Sequence, residues 1–143
     1  MVRSVQKKIA AENEPAGLRS LPPDRPTELN EWRKQVTEQL QSTLDLHSQL
    51  SAFLENVRLL LRIDGISYLH EEEAINLQLG RQASHSCGYR LIARDELVGE
   101  LIFRRERKFA ERELALLEVT LAVLVNPLRK ALKYRHAVAE TMV

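Results

Sequence analysis

The C-terminal third of the chain carries the pattern that most restricts its fold. Between Ala110 and Thr141, leucines recur at spacings of three and four, which places them on one face of a helix. They are Leu114, Leu117, Leu121, Leu124, Leu128 and Leu132. A second apolar strip on the same helix consists of Leu116, Val119 and Val123. Because one small sheet can cover only one strip, the other needs a second helix, from this chain or from another copy of it.

This helix should begin at Ala110, since Glu113 stands where the partner residue of a capping box belongs. It also contains Pro127, with apolar periodicity on both sides. Proline has no N–H to donate to the carbonyl four residues earlier, and its ring presses on that carbonyl. Because the leucine face continues, we expect the helix to bend at Pro127 and to go on. The bend would divide a sheet-packed half from an outgoing half.

The other end of the chain divides near Thr27. Residues 1–26 are rich in proline and show no helical or strand period, which predicts a flexible N-terminal tail. Residues 27–141 are predicted to form the folded domain. A helical region should start near Thr27, with a kink or break between Thr43 and Ser51. Its apolar positions are Leu29, Trp32, Val36, Leu40, Leu50, Leu54, Val57 and Leu61. Thr43 and His47 fill the gap between Leu40 and Leu50, so the row keeps spacings of three and four.

Four strands are predicted between the two helical regions, at residues 66–70, 74–80, 86–94 and 97–104. The second alternates cleanly, with Ile75, Leu77 and Leu79 on one face. All connections are short, which is typical of antiparallel neighbours. The predicted fold class is therefore α+β: a four-stranded antiparallel sheet flanked by long N- and C-terminal helices, both on one face.

Composition narrows the class of protein. A chain of 143 residues allows one domain with a modest core, and a net charge of +1 does not suggest a nucleic-acid or anionic membrane surface. No apolar run approaches the roughly 18 to 20 residues of a membrane span. The single cysteine, Cys87, fits a reducing compartment. We expect a cytoplasmic protein that binds neither nucleic acid nor membrane.

The sequence shows no motif for chemistry. A phosphate-binding loop, H-E-x-x-H, C-x-x-C and a nucleophile elbow are all missing, so we expect no enzyme, no cofactor and no metal. His85 and Cys87 face the same side of a strand, but His70 is the only further ligand available, and a surface histidine beside a buried cysteine is favoured. The acidic run 71–73 is expected to be a solvated turn, and the basic run 104–108 a solvated loop.

Four stretches of the C-terminal part follow a known pattern. They are Ile63-Asp64-Gly65-Ile66-Ser67-Tyr68, Leu97-Val98-Gly99-Glu100-Leu101-Ile102-Phe103-Arg104, Phe109-Ala110-Glu111-Arg112-Glu113-Leu114, and Pro127 to Arg135. In this order, from Ile63 onward, the chain resembles a short GAF-type sensor domain of the kind found upstream of GGDEF diguanylate cyclase domains. The resemblance implies a truncated GAF-like fold. The cyclase signature itself does not occur in the chain.

The resemblance also implies a function. The chain would be a non-catalytic regulatory and dimerisation module, the sensory part of a diguanylate cyclase in cyclic di-GMP signalling, coupled through its C-terminal helix to a downstream GGDEF domain. Because Val143 falls within the helical linker, we expect an excised part of a longer enzyme. The predicted homodimer interface consists of Leu29, Val36, Leu40, Leu116, Val119 and Val123. The alternative is a small-molecule sensor with a pocket between sheet and helix.

Overall fold

The computed structural model describes residues 8–10 and 26–141. In chain order its elements are β1 (Lys8–Ala10), α1 (Pro26–Gln41), α2 (Leu46–Leu61), β2 (Gly65–His70), β3 (Ile75–Gly80), β4 (His85–Ala93), β5 (Glu96–Arg105) and α3 (Glu111–Thr141). The α+β class, the four antiparallel strands and the long helices at both ends of the domain are confirmed.

The strands form one sheet in the order β1-β4-β5-β2-β3. Strands β2 to β5 pair antiparallel, and β1 pairs parallel with β4, Lys8 lying opposite Arg90. Strand β1 was not expected, because its three residues lie in the predicted tail and show no period. It satisfies backbone groups on the edge of β4 that would otherwise lack a partner strand. The rest of the predicted tail before Pro26 lies outside the described residues.

One face of the sheet belongs to the core and the other does not. Along β4, Cys87, Tyr89 and Leu91 are buried, whereas Arg90 between them is exposed. The inward-facing residues join apolar side chains of all three helices in one cluster. The outer face carries exposed polar residues such as Gln78. This arrangement agrees with the prediction that the helices cover a single face.

The N-terminal helical region is broken where the sequence suggested. Helix α1 ends at Gln41 and α2 begins at Leu46, so the break lies at residues 42–45. Asp45 caps α2, because its side chain accepts a hydrogen bond from the backbone N–H of Ser48 at 2.9 Å. The cap gives α2 its own start and lets the chain turn back against α1.

The β4–β5 hairpin uses two residues with positive φ, Arg94 at 52° and Asp95 at 63°. This turn lies one residue earlier than the sequence suggested, and its two positive φ angles are those of the hairpin turns that match strand twist.

Close by, Gly99 has a φ of 139°, and a Cβ there would lie 2.5 Å from a ring carbon of Tyr68. Only glycine fits this position, beside the register shift between Leu91 and Ile92.

Arg105 connects the sheet to two helices. Its side chain is 2% exposed, and all of its N–H groups have acceptors. Nη1 donates to the carbonyl of Leu61 at the end of α2 at 2.8 Å, Nε to the carbonyl of Arg107 at 3.0 Å, and Nη2 to that of Lys108 at 2.5 Å. Both Nη atoms donate to the carboxylate of Glu113. The expectation of a solvated basic loop is therefore wrong for Arg105.

Helix α3 begins as the sequence predicted. The N–H of Leu114 donates to the carbonyl of Ala110 at 2.9 Å, and the N–H of Ala110 donates to Glu113 Oε1 at 3.0 Å. Ala110 is therefore the N-cap, and half of a capping box is present. The missing half is a side-chain acceptor at position 110.

Substitution Ala110→Ser should supply that acceptor for the N–H of Glu113 and raise the free energy of unfolding by about 1 kcal/mol. Urea unfolding followed by circular dichroism measures the change. The control is Ala137→Ser, an exposed position in the same helix, where serine should cost about 0.5 kcal/mol through its lower helix propensity. Equal effects at both positions would contradict the assigned cap.

The pKa of Glu113 is lowered from its ordinary value of 4.5, chiefly by the hydrogen bonds from Arg105. A carboxyl group whose pKa is lowered by folding stabilises the folded state at pH values above its ordinary pKa. This stabilisation is lost as the pH falls through the pKa of the folded state. Glu113→Gln should therefore cost about 2 kcal/mol at pH 7 and progressively less below pH 4.5. Urea titrations from pH 7 to 3 test this, with exposed Glu38→Gln as the control. If the difference in free energy of unfolding between the wild type and Glu113→Gln does not change with pH, the hydrogen bonds from Arg105 are not the cause of the lowered pKa.

Candidate functional site

Several depressions lie beside the C-terminal part of α3 in the described structure, and two of them extend well beyond the helix onto other elements. The first, here called the exit groove, has a volume of about 590 Å³ and runs between residues 41–46 and the pair Tyr134 and Arg135. The second, called the turn cleft, has a volume of about 330 Å³. It lies between α3, the β2–β3 turn and the start of β5. The turn cleft is the stronger candidate site, because charged side chains from three elements meet there.

The turn cleft has ten lining residues and only three of them are aliphatic. They are His70, Glu72, Glu73, Glu96, Leu97, Val98, Arg129, Leu132, Lys133 and His136. A cavity of about 330 Å³ is at the small end of ligand sites, which begin at roughly 300 Å³. Its size and its polar lining suit a small, charged molecule.

One wall of the cleft is basic. Arg129, Lys133 and His136 follow each other at helical spacings of four and three, so they form one row along α3. The Arg129 side chain is 16% exposed, and its Nε is buried with no hydrogen-bond partner in the part of the chain that the structure describes. Its charged neighbour is Glu96, whose Oε2 lies 3.8 Å from that Nε. At this distance the two groups form an ion pair, but they are too far apart for a hydrogen bond.

The opposite wall is acidic and comes from the sheet. Glu72 and Glu73 belong to the β2–β3 turn, and Glu96 opens β5. Across the rim, Glu73 lies 2.7 Å from His136 Nε2, which joins the turn to the last turns of α3. Glu96 is 63% exposed, so its side chain is free to move away from Arg129. The two walls therefore carry opposite charges.

His70 lines the inner end of the cleft and is 5% exposed. Its Nε2 lies 3.3 Å from the carbonyl oxygen of Leu97. Because a carbonyl only accepts, Nε2 carries the proton in this contact and Nδ1 presents a lone pair when the ring is neutral. Among the described residues, Nδ1 is buried and has no hydrogen-bond partner. A buried polar atom without a partner is rare and calls for an explanation, of which a bound water or ion is one.

Pro127, where we expected a joint, lies inside α3 and is buried. The prediction that the helix continues past it is confirmed, and the predicted bend stays a prediction. Its carbonyl accepts a hydrogen bond at 3.2 Å from Nε2 of Gln49, a residue 1% exposed. The same Nε2 lies within 3.3 Å of the carbonyl of Leu40 and 2.9 Å of that of Thr43. One buried amide thus connects the α1–α2 break to the proline turn of α3.

The six residues predicted to form a dimer interface lie in the core of the single chain. Their exposures are Leu29 3%, Val36 1%, Leu40 0%, Leu116 4%, Val119 0% and Val123 8%. Helices α1 and α2 both contact α3, so the second apolar strip is covered by helices of the same chain. These residues present almost no surface to a partner. Among the described residues, the large apolar side chains that remain exposed are Leu44, Leu59, Tyr134 and Val138.

Of the residues considered for a metal site, His70 lies far from His85. Ser86 lies level with Gly65 at one end of the sheet, with His85 one residue beyond it, whereas His70 lies five residues further along β2, so the two histidines are roughly 20 Å apart along the strands. Cys87 is a buried free thiol. Among residues 8–10 and 26–141, no group of three or more His, Cys, Asp and Glu side chains is placed to hold a metal ion.

Sequence reasoning missed the turn cleft. The row Arg129, Lys133 and His136 is visible as a helical spacing, but the spacing does not show what the row faces. His70 was considered only as a metal ligand, and Glu73 only as part of a solvated turn. Their meeting depends on the docking of α3 against the ends of β2 and β5, which no local pattern reveals.

Replacing Pro127 by alanine should stabilise the chain. Proline costs about 3 kcal/mol in a helix interior relative to alanine, whereas loss of its two extra buried carbons costs about 1.6 kcal/mol. We therefore expect a net gain of about 1 kcal/mol in the free energy of unfolding, measured in urea. The control is exposed Asn126→Ala, expected to gain about 0.5 kcal/mol. A loss at position 127 would show that its packing outweighs the missing hydrogen bond.

None of the helices in the described part of the chain combines the length and apolar character that crossing a membrane requires. Comparison with protein-family models, with curated proteins and with solved structures finds no match.

Proposed function

We propose that the chain is a non-catalytic regulatory and dimerisation module of the GAF type, which couples through α3 to an effector domain. The single observation that carries this proposal is the end of α3. Leu132 is the last buried residue, and each residue from Lys133 to Thr141 is exposed although the helix continues. Nine helical residues without a packed face are not stable by themselves in water. Such a segment needs a partner helix or a domain at its end.

The exposed end of α3 offers a seam for a second copy. Tyr134 is 51% and Val138 36% exposed, and they lie one turn apart on the helix. Leu44, 44% exposed, lines the exit groove together with Tyr134. Two such helices packed side by side would cover these apolar groups. We therefore propose a homodimer through this segment in place of the buried residues that the sequence suggested.

The nature of the effector rests on the sequence resemblance alone. The resemblance points to a GGDEF diguanylate cyclase domain after α3 and to cyclic di-GMP signalling. Cyclic di-GMP is made from two GTP molecules by two cyclase domains that face each other. A dimer whose helices leave side by side would hold those domains at high effective concentration. The free thiol of Cys87 supports a reducing compartment, and we propose the cytoplasm.

The dimer can be tested by light scattering at micromolar concentration, where the wild-type chain should show twice its mass. Val138→Glu and Tyr134→Glu place a charge in the seam and should give monomers, since burying an unpaired charge is costly. The matched control is Leu59→Glu on α2, 87% exposed and away from the seam, which should stay dimeric. A wild-type monomer at this concentration, or a dimer insensitive to both seam variants, would refute the proposed seam.

A second function, a small-molecule sensor, is favoured by the turn cleft. The cleft lies between the sheet and α3, as the alternative drawn from the sequence requires, although its lining is charged and not apolar. A ligand there would contact both the sheet turns and the outgoing helix. Sensor and dimer are compatible, because the seam residues Tyr134 and Val138 do not line the cleft.

A further inference from the structure

We propose that the turn cleft binds a free α-amino acid, a small zwitterion with one carboxylate and one ammonium group. This inference deepens the sensor function proposed above and rests on it. Its basis is the meeting of a basic wall and an acidic wall across a cavity of about 330 Å³. A ligand with only one charge would satisfy one wall and oppose the other.

Arg129 would hold the carboxylate. Its side chain is mostly buried, which restricts its position, and its Nε makes no hydrogen bond with the described residues. A planar guanidinium binds a carboxylate through two parallel N–H···O bonds. Glu96, 3.8 Å from Nε and 63% exposed, occupies this place loosely. The ligand carboxylate would displace it, and Lys133 one turn later would add a second positive charge.

The ammonium group would lie toward the acidic wall and His70. Glu72, Glu73 and the displaced Glu96 supply acceptors with negative charge. Nδ1 of His70, which has no hydrogen-bond partner among the described residues, would supply a lone pair. An acceptor at this depth favours an N–H donor over a second carboxylate. A dicarboxylic acid without an amine is therefore a poor match for the site.

The size of the cleft limits the ligand. About 330 Å³ suits a single amino acid better than a nucleotide or a tetrapyrrole, which occupy larger pockets. Leu97, Val98 and Leu132 are the aliphatic part of the lining and would contact the ligand side chain. These contacts predict a preference for a small or aliphatic side chain.

The site is placed to influence α3. Arg129 follows Pro127 by two residues, and His136 lies on the segment that leaves the core. A ligand bound to both walls would tie the outgoing helix to the sheet more tightly than the Glu73–His136 pair at the rim. A ligand shifts an equilibrium between two conformations only to the extent that it binds one of them more tightly than the other. Amino-acid binding would thus favour the docked position of the helix end.

The test is isothermal titration of the full chain with each of the twenty amino acids, together with melting curves. At least one amino acid should bind and raise the melting temperature. For that amino acid, the N-acetyl form lacks the ammonium charge and the amide form lacks the carboxylate, and each should bind at least tenfold more weakly. If none of the twenty binds, or if either blocked form binds as well as the free amino acid, the proposal is overturned.

Variants locate the binding. Arg129→Met should weaken binding at least tenfold, whereas Lys130→Met, the same change one residue later on an exposed position, should leave it unchanged. If Arg129→Met fails to fold by circular dichroism, Arg129→Lys replaces it, since lysine keeps the charge but cannot bind a carboxylate with two parallel bonds. Binding that survives the position-129 variant, or that Lys130→Met weakens equally, would place the ligand elsewhere and overturn the site.

Light scattering separates this proposal from the function on which it rests. A dimer that binds no amino acid removes only the ligand proposed here. Binding by a chain that remains monomeric removes the dimerisation module and supports the cleft.

Discussion

The buried guanidinium of Arg105 is the interaction on which the arrangement of the helices depends. It is the last residue of β5, and its five N–H groups hold the end of α2, the β5–α3 connection and the first turn of α3. The ring of Phe109 lies 4.5 Å from its guanidinium carbon. A buried charge is tolerated only when its donors are satisfied, so these acceptors must stay together. The sheet, α2 and the start of α3 therefore move as one body.

A helix fixed at its start can still be adjustable at its end. Between its two ends, α3 passes the proline turn, where Gln49 ties the carbonyl of Pro127 to the α1–α2 break. Beyond Leu132 the contacts are polar and lie at the rim of the turn cleft. The stability of the helix thus falls from its first turn to its last, as expected where buried contacts become few. The regulatory role proposed above would place signal transmission at this weakly held end.

Much of the fold could be predicted because its signals are local. The alternation in β3, the short connections and the spacing of leucines in α3 each reflect burial of one face of one element. A glycine inside a strand usually marks a bulge or a close approach, and Gly99 combines both, beside Tyr68. The position of the β4–β5 turn was predicted one residue too late, because neither Arg94 nor Asp95 is the glycine that usually identifies such a turn. Strand β1 has no local signal, since three edge residues are ordered only by the neighbour they pair with.

The sequence by itself determined which residues are apolar and which face of each element they occupy, because these depend on spacing along the chain. Only the tertiary structure decided what covers each face. It placed Leu116, Val119 and Val123 in a core shared with α1 and α2, whereas the sequence had suggested that they contact a second copy of the chain. It buried Arg105 out of a run of exposed charges, and it brought Arg129 on α3 opposite Glu73 and His70 at the end of β2. These outcomes depend on contacts between elements that lie far apart in the chain, for which spacing within one element holds no information.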